Sequence, residues 1–274
     1  MRLYGLTHAS FSALNHFNTS LANANEIVEL KVEFMRPYCV AYLDQMLLAK
    51  HPNKKVYSSY PKVNQYLHQV DLVWYESKSR RSLEFPQQDI ICVRRFFPSC
   101  ENEFIEWLEH NVRDKIPMME EQVWKQIVEH IYEVLNNTFY HADTMHGISV
   151  CGQYYPTCGY FELALYDCGK GIPANVRQFD QFTRQFTDEE CVKWSTKKGT
   201  TTRPRNTPGG LGLFRIEEFL RLNKGSMQIV SGTGFYEFCG VKGCTTHTLQ
   251  KGISGTMVNL RVIYDDNLYQ MSLS

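Results

Sequence analysis

The sequence lacks an excess of charge of either sign, because 29 lysine and arginine residues balance 29 aspartate and glutamate residues. A chain that binds nucleic acid or an anionic membrane surface through electrostatic attraction usually carries a clear positive excess. The balance therefore predicts that neither nucleic acid nor a membrane surface is a partner.

Long hydrophobic runs are also lacking. No segment approaches the roughly 20 apolar residues that span a bilayer, and the N-terminal segment has no continuous apolar core of the kind found in a secretory signal. The nine cysteines are odd in number and scattered, which is typical of reduced thiols rather than of a disulfide framework. These features lead us to expect a cytoplasmic protein.

Two common nucleotide-binding motifs are missing as well. The sequence contains no G-x-x-x-x-G-K-[ST] and no G-x-G-x-x-G after an early strand. These absences exclude the P-loop and the dinucleotide-binding arrangement, so a nucleotide site in this chain has to be built differently.

The chain length of 274 residues fits two domains. A charged junction that contains Pro117 predicts the boundary, with one domain at 1–116 and a second at 117–274. Strand and helix patterns alternate in the first part, which predicts a small α/β domain. The predicted elements are strands at 26–34, 55–60 and 90–96, and helices at 37–50, 61–74 and 104–112.

The strand–helix junction Met35-Arg36-Pro37-Tyr38-Cys39 resembles that of the STAS family, small domains met in anti-sigma-factor antagonists. Signalling members carry an Asp-Ser-Ser-Gly type turn whose serine accepts phosphate, whereas this junction offers only the Tyr38 hydroxyl. The resemblance therefore implies a regulatory or docking domain and not a phosphate-accepting switch. His68 is a second candidate phospho-acceptor, but a lone histidine on a helix face is more often structural.

A helix predicted over Val123–His141 carries the most informative polar pattern. Glu133, Asn137 and His141 recur at every fourth position, which places them on one helix face. Aliphatic residues with the same spacing lie on the opposite face and can pack into a core. These residues are Ile127, Ile131 and Leu135. The helix is therefore expected to bury one side and to present the other.

Glycines follow a buried strand downstream of this helix. A hairpin is predicted over 147–167, and its second strand ends at Asp167, after which come Gly169 and Gly171. Backbone without side chains lets a flat ligand approach closely, and the carboxylate can accept a hydrogen bond from it. The pattern therefore predicts a ligand site at the end of this strand.

The stretch from Ala174 to Pro208 is polar and long, which is typical of a lid. It leads into Gly209-Gly210-Leu211-Gly212-Leu213, directly before an amphipathic helix that is expected to close at Gly225. Glycines that open a helix present unpaired backbone N–H groups and a positive dipole end, an arrangement that binds phosphate.

Four motifs in this order resemble those of the GHKL ATPases, which include gyrase, histidine kinases and anti-sigma-factor kinases. The motifs are Glu133-x-x-x-Asn137-x-x-x-His141, Asp167-x-Gly169-x-Gly171, Gly210-x-Gly212 and Gly255-Thr256. The resemblance implies an α+β fold class, with a Bergerat-type sandwich in the C-terminal half. In that sandwich a mixed sheet carries helices on one face.

The resemblance also implies ATP and Mg²⁺ as cofactors. Asn137 would ligate Mg²⁺, Asp167 would accept the adenine amino group, and Thr256 would support the adenine pocket. Gly169 and Gly171 would let the base lie flat. At the phosphate end of the site, the residues that the resemblance implies to bind the nucleotide are His141, Gly209, Gly210, Leu211, Gly212 and Leu213.

Glu133 lies one helical turn before Asn137, where a carboxylate can deprotonate the group that attacks the γ-phosphate. Cations of the lid are candidates for neutralising the transferred phosphoryl group. These cations are Lys197, Lys198, Arg203 and Arg205.

Two functions remain open from the sequence. One is an enzyme that hydrolyses ATP or transfers its γ-phosphate to a protein, and the other is an ATP-gated interaction module with little turnover. A protein partner that binds the N-terminal domain or the lid is expected in both cases, and a homodimer stays open. A metal site at Cys239, Cys244 and His247 is a further alternative, but its spacing is irregular.

Overall fold

The computed structural model describes residues 14, 17, 19–23, 26–32, 35–70, 72, 89–116, 120–202 and 212–264. Its architecture is α+β, as expected, with helices around a five-stranded sheet and a separate pair of parallel strands. The N-terminal elements are β1 (Ile27–Glu29), α1 (Pro37–Lys50), β2 (Lys55–Tyr57) and α2 (Pro61–Gln69). The next are β3 (Ile90–Phe96), α3 (Glu101–Asn111) and α4 (Glu121–Ala142).

The remaining elements belong to the C-terminal half. They are β4 (Ile148–Tyr155), β5 (Tyr160–Asp167), α5 (Gly171–Phe179), α6 (Asp188–Ser195), α7 (Gly212–Asn223), β6 (Ser226–Cys239) and β7 (Gly243–Ile263). Strand β4 is joined directly to β5, and β6 is joined directly to β7, and each pair is antiparallel. The predicted hairpin over 147–167 is therefore confirmed.

The parallel pair β1 and β2 is connected through α1, as parallel strands require a crossover. Val28 and Leu30 are buried, as their alternation predicts. The predicted strand at 26–34 is too long, because regular pairing ends at Glu29 and β2 is equally short. The helix expected from Pro37 to Lys50 is confirmed, with proline in the first turn where a missing N–H costs nothing.

The five-stranded sheet has the order β3-β4-β5-β7-β6, and every neighbouring pair in it is antiparallel. The expectation of a mixed sheet is therefore wrong. Part of the physical reason is connectivity, since the β4–β5 and β6–β7 pairs are hairpins and a hairpin produces antiparallel neighbours.

Helices cover both faces of this sheet, whereas the resemblance implied helices on one face only. One hydrophobic cluster joins α3, α4 and α7 to the side chains of Phe161, Leu163 and Leu165 on β5. The other joins α1 to Ala164 and Tyr166 on the opposite face of the same strand. The ring centroids of Tyr42 and Tyr166 lie 5.1 Å apart in this second cluster.

The sheet also crosses the boundary expected near Pro117. Strand β3 lies in the first of the two expected domains, yet it pairs with β4, with Phe96 opposite Ile148. Both hydrophobic clusters contain residues from each side of the boundary. The division into 1–116 and 117–274 therefore stays a prediction about folding units, while the five-stranded sheet contains strands from both sides of the boundary.

The polar stretch that was expected to form a lid from Ala174 onward is largely helical. Helices α5 and α6 occupy it up to Ser195. Helix α6 begins with a capping box in which Thr187 and Glu190 satisfy each other's backbone N–H groups. Val176, Cys191 and Val192 are buried, so apolar anchors within a polar stretch hold these helices in place.

A buried charge cluster ties the residue before α1 to the sheet. Glu162 on β5 is fully buried and accepts hydrogen bonds from Arg36 at 2.9 Å and from Arg261 Nε at 3.0 Å. The guanidinium of Arg261 also lies 4.4 Å from the ring centroid of Tyr160. Both arginine side chains are less than a tenth exposed, so the cluster is held away from water.

Glu162→Gln removes the negative charge between these arginines and keeps the size of the side chain. Breaking a buried pair on one side costs about 3–5 kcal/mol, because the partner charges stay buried. We expect a loss of this size in the free energy of unfolding, measured by urea denaturation. The control is Glu103→Gln at the exposed pair of Arg94 and Glu103, which should cost less than about 1 kcal/mol. Equal losses would contradict the assigned role of Glu162.

Candidate active site

A pocket opens where the polar face of α4 meets the end of β5, the part of β7 that contains Thr256 and Val258, and the first turn of α7. Its volume is about 760 Å³, including the part open to solvent. The lining residues come from α4, α5, α6, α7 and β7, with Asp167 at the end of β5.

Helix α4 presents its two faces as the spacing predicts. Ile127, Ile131 and Leu135 are buried in the first hydrophobic cluster. Asn137 and His141 line the pocket on the opposite face. His141 Nδ1 lies 3.2 Å from the Thr202 hydroxyl, so the histidine is tied to the segment that follows α6.

Glu133 lies one turn before Asn137, and its side chain is 29% exposed. A Cβ atom placed on Gly212 would lie 2.5 Å from Asn137 Nδ2 and 3.0 Å from Glu133 Cδ. The first residue of α7 therefore sits directly against both polar side chains. Leu213 follows it and lines the pocket.

Asp167 is 1% exposed and is held by two backbone amides. Its Oδ1 accepts from the Gly169 N–H at 2.8 Å, and its Oδ2 accepts from the Thr256 N–H at 3.2 Å. Burial raises the pKa of the Asp167 carboxyl to about 7, against the opposing effect of these two amides. The carboxyl therefore has a fixed orientation and titrates near neutral pH.

A serine hydroxyl joins the elements around Asp167. Ser231 Oγ donates to the Gly255 carbonyl at 2.7 Å and accepts from the Ile172 N–H at 2.9 Å. It also lies 3.2 Å from the Thr256 hydroxyl. Gly171 packs against the Ser231 hydroxyl and has a φ of +79°, a conformation that favours glycine. Ser231 thus fixes the start of α5 against β7.

The structure does not bring every predicted residue to the pocket, because Glu133, Gly169 and Lys198 are not among its lining residues. The ammonium of Lys198 lies 5.4 Å from the ring centroid of Phe214, and the Lys197 side chain is exposed. Gly169 packs against the Ala142 carbonyl at the end of α4, so its position is set by this contact. Other predicted residues lie outside the described ranges. These are Arg203, Arg205, Gly209, Gly210 and Leu211.

Sequence reasoning missed several lining residues. They are Asn175 on α5, Trp194 and Ser195 at the end of α6, and Thr200, Thr201 and Thr202 beyond it. All of them lie in the stretch that was expected to be a lid. The signal that could have located them is the capping box at Thr187, which announces a helix within that stretch.

Gln45 on α1 connects the N-terminal segment to the turn beside the pocket. Its Nε2 donates to Ser149 Oγ at 2.9 Å and to the Gly147 carbonyl at 3.3 Å. Its Oε1 accepts from the Cys168 thiol, with the sulfur at 3.3 Å. Because Cys168 directly follows Asp167, a fully buried side chain from α1 helps to set the turn that carries the pocket carboxyl.

The alternative metal site finds no support in the described residues, where no group of three or more histidine, cysteine, aspartate or glutamate side chains could hold a metal ion. Cys244 faces Phe238 across the β6–β7 hairpin, and His247 stacks on Phe235. His68 lies on α2 and is partly buried. In the described parts of the chain, the helices are all too short or too polar to cross a membrane.

Comparison of the chain with protein-family models gave no match, and comparison with curated proteins gave no significant match.

Asp167→Asn should change how stability depends on pH. The pKa of the folded carboxyl is about 7, against 3.8 for an ordinary aspartate, so the folded state binds this proton more tightly. The stability that this proton contributes is fully present below a pH of 3.8 and is lost as the pH rises through about 7. Relative to Asp167→Asn, the wild type should lose on the order of 4 kcal/mol of unfolding free energy across this window.

The measurement is urea denaturation at a series of pH values between about 4 and about 8. Asp114→Asn, at an exposed position after α3, is the matched control and should follow the wild type throughout. A constant difference between wild type and Asp167→Asn at every pH would show that Asp167 does not titrate in this range.

Proposed function

We propose that this chain is an ATP-binding protein of the GHKL type, which hydrolyses ATP or transfers its γ-phosphate in a signalling or regulatory system. A Bergerat-type site and a STAS-like N-terminal segment are parts of this proposal. The observation that carries it is the meeting of Asn137, Asp167, Gly212 and Thr256 around one pocket. These residues come from all four motifs, and about 120 residues of sequence separate the first from the last.

Asp167 supports the adenine end of the site. Two backbone amides hold its carboxyl at the floor of the pocket, and each carboxylate oxygen has a further lone pair for a ligand N–H. Thr256 and Ser231 stabilise the wall beside it. Valine and isoleucine side chains among the lining residues provide apolar surface for a planar base, namely Val134, Ile172, Val176 and Val258.

The first turn of α7 supports the phosphate end. Backbone N–H groups in the first turn of a helix have no partner within the helix, and the helix dipole favours an anion there. Gly212 brings this turn against α4, so a triphosphate bound by α7 would lie beside Asn137 and Glu133.

The donor set at this point fits Mg²⁺, which prefers oxygen ligands and keeps several water molecules. The Asn137 amide oxygen supplies one such ligand, and the triphosphate would supply others. Bound Mg²⁺ would neutralise charge that develops on the phosphates.

Glu133 is the general base of this proposal, since it lies against Gly212, which lines the pocket. Its carboxylate is partly exposed, so a water molecule can reach it, and Arg215 lies 3.9 Å away on α7. In the proposed hydrolysis, Glu133 accepts a proton from water as the water oxygen bonds to the γ-phosphorus. The bond from that phosphorus to the bridging oxygen breaks, and ADP leaves. A protein hydroxyl or imidazole in place of water would make the same step a kinase reaction.

Glu133→Gln keeps the shape of the side chain and removes its basicity. We expect ATP affinity to stay within about threefold of wild type, while the rate of phosphate release falls about 10²–10⁴-fold. Isothermal titration calorimetry measures the affinity, and release of inorganic phosphate or labelling of a protein measures the transfer. Glu129→Gln is the control, since this exposed residue lies one turn earlier on α4, outside the pocket.

If Glu133→Gln retains full turnover, Glu133 is not the base. If the wild type binds ATP but shows neither hydrolysis nor transfer, the ATP-gated interaction module is the better account of the site.

Asn137→Ala removes the proposed metal ligand. We expect Mg²⁺ to increase the ATP affinity of the wild type. The increase should be about tenfold smaller in this variant, because one oxygen ligand is lost. Titrations of ATP with excess Mg²⁺ and with EDTA give the comparison. Asn136→Ala changes the neighbouring exposed amide and should behave as wild type. An unchanged Mg²⁺ effect in Asn137→Ala would contradict the proposed ATP site at its centre.

A further inference from the structure

Asn175 is a pocket residue whose side-chain amide is held by two backbone carbonyls. It lies on α5, one turn after Gly171, and lines the pocket. Its Nδ2 donates to the His141 carbonyl at 2.9 Å and to the Gly171 carbonyl at 2.8 Å. The side chain therefore connects the end of α4 to the first turn of α5.

These two bonds determine which way the amide points. An asparagine amide can be placed in either of two orientations, and its neighbours decide between them. Both neighbours here are carbonyl oxygens, which only accept, so the NH₂ group must face them. Both hydrogens of Nδ2 are thereby used, and Oδ1 takes no part in either bond.

Oδ1 of Asn175 is left as an acceptor on a residue that lines the pocket. Among the described residues no donor bonds to it, and it is not one of the buried atoms that lack a partner. An accessible oxygen on a residue that lines the pocket is open to a ligand. Because the amide is already held in place, a contact with Oδ1 would require no further ordering of the side chain.

The chemistry of this atom restricts what it can contact. A carbonyl-type oxygen repels the oxygens of a triphosphate and attracts N–H or O–H donors. A nucleoside offers such donors at the ribose hydroxyls and at the exocyclic amino group of adenine. We propose that Asn175 Oδ1 accepts a hydrogen bond from a donor on the nucleoside part of the ligand and makes the site selective for that donor. This inference rests on the proposed function.

The test compares Asn175→Ala with the wild type for four nucleotides. ATP contains every donor, whereas 2′-deoxyATP, 3′-deoxyATP and inosine triphosphate each lack one. We expect Asn175→Ala to bind ATP about tenfold more weakly, which corresponds to one hydrogen bond. The nucleotide that lacks the contacted donor should bind equally well to both proteins. Which nucleotide behaves in this way identifies the donor.

A purely structural role for Asn175 predicts a different pattern. Loss of the connection between α4 and α5 would weaken binding of all four nucleotides by the same factor, and this outcome overturns the inference. Asn175→Asp gives a second comparison, because it keeps an oxygen acceptor and loses the donors to the two carbonyls. Its added charge should lower affinity for all triphosphates, but the preference for ATP over the analogue should persist.

Two further outcomes are separated by the same titrations. An effect of Asn175→Ala that disappears in EDTA would show that Oδ1 contacts the metal and would overturn the nucleoside contact. If the wild type binds none of the nucleotides, the proposed function itself fails. If the wild type binds ATP and the ratios of affinities are unchanged in the variants, only the inference about Asn175 fails.

Discussion

Strand β5 is the constraint on which the described structure depends. It is central in the sheet, it pairs with β4 and with β7, and every residue from Phe161 to Asp167 is buried. A strand covered on both faces leaves no solvent-exposed side for polar side chains. Its two carboxylates therefore need partners within the protein. Glu162 has two arginines, and Asp167 has two backbone amides.

The different partners explain why these two carboxylates can serve different purposes. Two charged guanidinium groups surround Glu162, so it binds the layers together. Asp167 has only dipoles as partners, and burial therefore raises its pKa to about 7. A carboxyl of this kind can still interact with a ligand, because no opposite charge occupies it. The same strand thus holds a structural group near its start and a chemically responsive group at its end.

Much of the local structure could be predicted from the sequence, because short-range patterns encode it. The spacing of Ile127, Ile131 and Leu135 correctly predicts the buried face of α4, and Pro37 correctly marks the start of α1. Asp167 could be singled out because it ends an apolar run and precedes two glycines. Asn137 and Asp167 belong to separate sequence motifs, and both line one pocket.

Long-range contacts could not be predicted in the same way. Nothing near β3 indicates that it pairs with β4, because that pairing depends on the whole sheet. Ser231 is one of several hydroxyl residues in β6, and Gln45 is a single amide in a helix buried over its first ten residues. Neither belongs to a periodic pattern. The antiparallel sheet and the second helical layer also differ from what the resemblance implied, because both depend on contacts between distant parts of the chain.

The pairing of β5 with β7 has a consequence for how the protein is made. Asp167 and its amide partner Thr256 are 89 positions apart in the chain, and β7 inserts between β5 and β6. During synthesis, β5 leaves the ribosome long before the strand that completes its hydrogen bonding. Contacts of such high sequence separation form slowly, and the unpaired edge of β5 stays available for aggregation meanwhile. The pocket is therefore among the last parts of the molecule to form, and a nascent chain that has not reached Thr256 cannot hold a ligand there.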